Sequence, residues 1–136
     1  MQKILLSLIL LSSFLYAEGY SREDRIKDMQ DMAEAMNTIQ SGFFYNNYDT
    51  VVSGVEHLTS SIERVSPPLE ELEETDIMTR YMNNKIQMTR KVVKKINQKS
   101  LTILQRFKSG DPVQAVQAYK KILEQCVACH QQTRNW

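Results

Sequence analysis

The segment that decides the fold reads SGDPVQAVQAYKKILEQCVACH, residues 109–130. Gly110 supplies a left-handed stop to the helix before it, Asp111 an N-cap, and Pro112 a first helical residue whose missing N–H costs nothing there. Val116, Tyr119, Leu123, Val127 and His130 then recur at intervals of three and four, an apolar stripe along one helix. Working back, Phe107, Ile103, Ile96, Val93, Ile86 and Met82 mark the buried side of a long preceding helix that Thr75 can cap. Before it, Pro67-Pro68 ends a helix with the stripe Val51, Val55, Leu58, Ile62 and Val65, capped by Asp49 after a turn at Asn46-Asn47. Ser21, with Asp24 three residues on, opens the first helix in the manner of a capping box. Its face reads Ile26, Met29, Ala33 and Met36, with Gln40 a polar exception before Phe43.

The spacing therefore predicts helices near 23–45, 49–65, 76–108 and 112–132, with no strand and no internal repeat. Four amphipathic helices cannot bury their stripes alone, and short loops make neighbours antiparallel. The expected class is all-α, an antiparallel up-down-up-down four-helix bundle.

The first residues bear on compartment. Lys3 precedes an apolar run from Ile4 to Leu15 and then Tyr16-Ala17-Glu18, a secretory signal pattern with cleavage expected after Ala17. The run is short of the roughly 20 apolar residues of a membrane span, so no stable span is expected. Leu15, two before Ala17, is larger than the usual small residue there and keeps an uncleaved anchor as the alternative. The domain expectation is a leader over 1–17 and one helical domain over 18–136, exported to the periplasm. With 17 basic residues against 16 acidic in the whole chain, the balance gives no support to nucleic-acid binding. Charge is nonetheless segregated, acidic over Glu63 to Asp76 and basic over Arg80 to Lys108, with Lys91, Lys95 and Lys99 on one helix face. A solvated face and a docking patch are the two readings.

The two cysteines stand together in Cys126-Val127-Ala128-Cys129-His130. On a helix, positions i, i+3 and i+4 share a face. Two thiols so placed can add to the two vinyl groups along one edge of a haem while the imidazole ligates the iron, the c-type attachment pattern. A thioredoxin-like pair would be expected at a strand-to-helix junction, and a structural zinc site needs four ligands where only His57 remains to add. A plain disulfide leaves His130 without a role. The expected cofactor is one haem c, covalent through Cys126 and Cys129 near the C-terminal helix.

A haem motif at the C-terminal end of a four-helix chain resembles the class II cytochromes c, the cytochrome c′ family with its low-spin relatives. Arg134, four residues after His130, stands where that family commonly has an Arg beside the haem edge. Arg25 followed four residues later by Met29 is similar to the family's distal side, and Tyr48-Asp49 and Ser109-Gly110-Asp111 extend the likeness over the mature chain. Thr133 departs from it, since an aromatic residue usually precedes the Arg. The resemblance implies a cofactor site of Cys126, Cys129, His130, Arg134, Met29 and Arg25, with His130 and Met29 as axial metal ligands. Met29 as ordinary core is the other reading, and Met32 and Met36 are the next candidate ligands.

With Met29 ligated, the expectation is a periplasmic electron carrier serving redox partner proteins. With an apolar distal side, it is a five-coordinate cytochrome c′ binding nitric oxide or carbon monoxide. A non-redox helical interaction protein is a third reading, from a different class. No nucleophile with an adjacent base, paired acid/base carboxylates or phosphate loop points to an enzyme. His57 reads as a surface residue, and Tyr81 and Tyr119 as core. The resemblance also implies a homodimer through the first two helices, with Phe43, Phe44 and Tyr48 near its end.

Overall fold

The computed structural model describes residues 20–65 and 72–134 of the chain. The expected leader and the Pro67-Pro68 stop lie outside the described residues. The described residues form four helices and no strand: α1 (Arg22–Phe44), α2 (Tyr48–Val65), α3 (Ile77–Lys108) and α4 (Pro112–Arg134). No helix among them is long and apolar enough to cross a membrane.

The helix ends follow local chemistry. Ser21 Oγ accepts from the Asp24 amide while Asp24 accepts from the Ser21 amide, a complete capping box. Asn46, at φ 49, turns the chain between α1 and α2. Two caps sit one or two residues from their expected positions: Asn47 rather than Asp49 receives the Thr50 amide, and Asp76 rather than Thr75 receives that of Thr79. In each case the donor lies three residues after the cap, the reach a short carboxamide or carboxylate spans. Gly110, at φ 78, and Asp111, which receives the Gln114 amide, end α3 and open α4 as expected.

The helices pair as two antiparallel hairpins. Arg64 near the end of α2 meets Asp28 near the start of α1, and Lys85 near the start of α3 donates to the Gln132 carbonyl near the end of α4 at 2.7 Å. The hairpins join along α2 and α3, where the Tyr48 and Phe107 rings stack 6.5 Å apart and Asn97 donates to Glu63 at 3.4 Å. Most of α3 ahead of Asn97 therefore runs beyond the end of α2. There Asn83, buried, holds the incoming connection by two bonds to the Leu72 backbone, 2.9 and 2.7 Å.

The core is one cluster of side chains from all four helices, with Ile39, Leu58, Ile96, Ile103 and Ile122 fully buried. Each contributes about 1.5–3 kcal/mol by leaving water. The α2 stripe is as expected. The α1 face is turned: Asp28, Met32, Ala35, Met36, Ile39 and Gly42 are buried, Met29 is half-buried, and Ile26 and Ala33 are exposed. Tyr81 is exposed rather than core, as is Met82, and Val116, Leu123 and Val127 lie near 45% exposed at 46%, 43% and 45%. In α4 the buried positions are Ala115, Ala118 and Ile122, because small side chains let that helix lie close on α3.

Candidate functional site

Cys126, Cys129 and His130 fall in the last three turns of α4. All three are half-buried and both thiols are free. Cys126 packs against the core cluster. Cys129 opens onto a groove of about 390 Å3 between α3 and α4, beside Ala128, Met88, Lys91, Val92 and Lys95. Burial pushes the Cys126 thiol up, helped by neighbouring Cys129; burial also raises Cys129, against the opposing pull of Lys85. The negative end of the α4 dipole acts in the same direction. Both sulfurs are therefore neutral thiols near pH 7, unlike the low-pKa thiolate of a redox-exchange pair at a helix N-terminus. No group of three or more His, Cys, Asp or Glu suited to a metal ion occurs among the described residues.

Aromatic side chains connect α1 with α4. The two helices meet through Phe43, whose ring lies 5.8 Å from that of Tyr119 and 5.4 Å from that of Phe107. No extended backbone contact joins α1 to α4. On the α1 face that carries Phe43, the residues one and two heptads back are Met36 and Met29. On α4 the residues four, seven and eleven beyond Tyr119 are Leu123, Cys126 and His130. On α4, Leu123 and Val127 are half-exposed beside the half-buried thiols and imidazole. The donor set itself, two free thiols at i and i+3 and one imidazole at i+4, suits a covalently attached haem.

No protein-family model, no curated protein and no solved structure matches the chain.

Of the other expected site residues, Met29 packs against the core from α1. Arg25 is exposed, donates to the Tyr20 carbonyl at 3.4 Å and covers the Tyr20 ring at 5.9 Å. Arg134 is the last residue of α4, and its side chain lies outside the described residues.

A polar cluster at the start of α1 escaped the sequence reading. Buried Asp28 accepts from Tyr20 Oη at 2.6 Å and from Arg64 Nε at 2.7 Å, while Arg64 Nη2 reaches Asp31 at 3.0 Å and Ser61 Oγ at 3.1 Å. Burial and the bond to the Asp28 carboxylate raise the Tyr20 hydroxyl well above its usual range. Tyr20, Asp28, Asp31, Arg64 and half-buried His57 line a cleft of about 630 Å3. The available signal was the series Asp28, Met32, Ala35, Ile39, Gly42, which has helical spacing but begins on an acid and ends on a glycine. A search for apolar periodicity passes over both.

Proposed function

We propose that this chain is an exported c-type cytochrome, a four-helix bundle with one haem held covalently by Cys126 and Cys129 and ligated by His130, acting as an electron carrier. The observation that carries this reading is the set of two free thiols and an imidazole at i, i+3 and i+4 on one helix. A haem bound there supplies a one-electron couple at its iron. The chain's own residues do the rest. The thiols tether one edge, His130 supplies the proximal nitrogen, and Leu123 and Val127 exclude water from one flank. Met29 on α1 would offer the iron a soft unbranched sulfur, suited to both oxidation states with little reorganisation. Arg134 offers paired donors to a haem carboxylate.

The test is the absorption spectrum of the protein purified from a host with a haem-attachment system. Haem that resists acid–acetone extraction, with a low-spin ferric spectrum and a far-red sulfur-ligation band lost in Met29→Leu, is expected. A colourless protein overturns the reading. A red protein whose ferric haem is high-spin, takes carbon monoxide readily when reduced, and is unchanged in Met29→Leu replaces electron transfer by gas binding at an open sixth position.

A further inference from the structure

We propose that the face of α3 bearing Lys91, Lys95 and Lys99 is the docking surface for an acidic redox-partner protein, an inference that rests on the haem reading and names the partner class. Over its 32 residues α3 carries nine Lys and Arg and no Asp or Glu. The chain has 17 basic and 16 acidic residues. Removing the nine leaves eight basic against all 16 acidic, so this one helix carries more than half of the basic residues of a near-neutral chain and none of the acidic ones.

Five of the nine fall between Arg90 and Lys99. Lys91, Lys94 and Lys95 are exposed, Lys99 is half-buried, and none of these four has an ion pair or side-chain hydrogen bond among the described residues. By contrast, Arg64 is held by two carboxylates and Arg80 by Glu74. A face that only needed solvation has no reason to exclude carboxylates at every i+3 and i+4 position, since such pairs stabilise a helix by about 0.2–0.5 kcal/mol each. Adjacent like charges cost a similar amount. A partner's carboxylates relieve that repulsion.

Position supplies the second argument. Lys91 and Lys95 line the same groove as Cys129, together with Gln125 and Gln132 of α4. An acidic surface held on these lysines sits directly beside the point of haem attachment. Unpaired cations of this kind raise association rates by 10–10³-fold at low ionic strength through steering, and lose most of that as salt screens them over a Debye length of about 8–10 Å.

The experiment uses the haem-loaded full chain, with flavodoxin, an acidic one-electron donor protein, as the probe. Lys91→Glu/Lys95→Glu is compared with wild type and with Arg106→Glu/Lys108→Glu, an equal charge change at the far end of α3. Binding to immobilised flavodoxin and the rate of haem reduction by reduced flavodoxin, in which one electron leaves the flavin and the ferric iron gains it, are measured from about 10 to 500 mM salt. The expected result is a loss of binding and rate of about tenfold or more at low salt in Lys91→Glu/Lys95→Glu, with the absorption spectrum unchanged. The distal pair should lose less than about threefold. Wild-type binding and rate should fall as salt rises. Equal losses in both variants, or no loss in either, overturn the docking face in a red protein, and so does sedimentation of wild type with anionic vesicles when flavodoxin binding ignores the substitutions. A colourless protein instead overturns the haem reading on which the proposal rests.

Discussion

The two hairpins are held together in different ways. Along α1 and α2 the backbones touch: a Cβ on Gly54 would come 2.7 Å from Ile39 Cγ1 and 2.8 Å from the Ile39 amide nitrogen, and one on Gly42 would come 2.6 Å from Val51 Cγ2 and 2.9 Å from the Val51 amide nitrogen. Every buried polar side chain in this pair is partnered, Asp28 by Arg64 and Tyr20, Ser61 by Arg64. The α3–α4 hairpin is longer and looser. It leaves Ile77, Met78, Tyr81, Val116, Leu123 and Val127 exposed to varying degrees, and buries Asn97 Oδ1 and Ser100 Oγ with no hydrogen-bond partner among the described residues. A hairpin whose buried polar side chains are all partnered thus stands beside one with two unpartnered buried polar atoms and two free thiols. Under the proposed reading, haem attaches to the second.

The largest effect should come from removing attachment. In Cys126→Ala/Cys129→Ala, covalent haem should be lost entirely. Hydrogen exchange should then show amides of α4 and the first half of α3 opening faster than in the loaded wild type, while α1 and α2 keep most of their protection. Equal acceleration in all four helices would break the comparison.

Next is Gly54→Ala. The added methyl meets backbone as well as side chain, so α1 and α2 must separate. Overpacking of about 1–3 kcal/mol should outweigh the roughly 1 kcal/mol that Ala gains over Gly in a helix. Chemical denaturation should show a net loss of stability, and Ala in place of exposed Gln98 on α3 should show almost none.

A paired test sharpens the contrast in hydrogen bonding. Ser61→Ala removes an acceptor from Arg64 Nη2 and should cost about 1 kcal/mol. Ser100→Ala removes a buried hydroxyl that has no partner and should be neutral or stabilising by up to about 1 kcal/mol. Losses of equal size at both sites would show that the hydroxyl of Ser100 is satisfied in solution.

The smallest effect concerns acid. Hydrogen bonds from the Ser21 backbone and hydroxyl lower the Asp24 carboxyl, and the Thr79 amide lowers Asp76, each from an ordinary value of 3.8. A carboxyl whose folded pKa is depressed holds its stabilising contribution above the unfolded value and loses it as pH falls through the folded one. Stability should therefore decline below about pH 3.8. Asp76→Asn, which keeps an N-cap acceptor without the charge, should flatten part of that decline in thermal melts recorded from pH 5 to pH 2.

Much of the fold was legible because helix ends are local events. Ser21 with Asp24, and Gly110-Asp111-Pro112, act within four residues, and the helices begin and end there. The α2 stripe was equally plain, being apolar throughout. Faces were harder to read. On α1 the residue that decides the rotation is Asp28, whose burial is repaid only by Arg64, 36 positions away, and by Tyr20. On α4 the apolar residues Val116, Leu123 and Val127 stay partly exposed while Ala115 and Ala118 go inside.

For the site, Cys126, Cys129 and His130 were determined by sequence alone, since their shared face follows from helical periodicity over five residues. That Met29 packs against the core from α1, and that Lys91 and Lys95 share a groove with Cys129, were decided only by tertiary packing. The physical reason is range. Capping and periodicity act along one helix, whereas the angle at which helices meet depends on how closely two backbones approach. Here Gly42, Gly54 and the Asp28–Arg64 pair hold α1 close on α2.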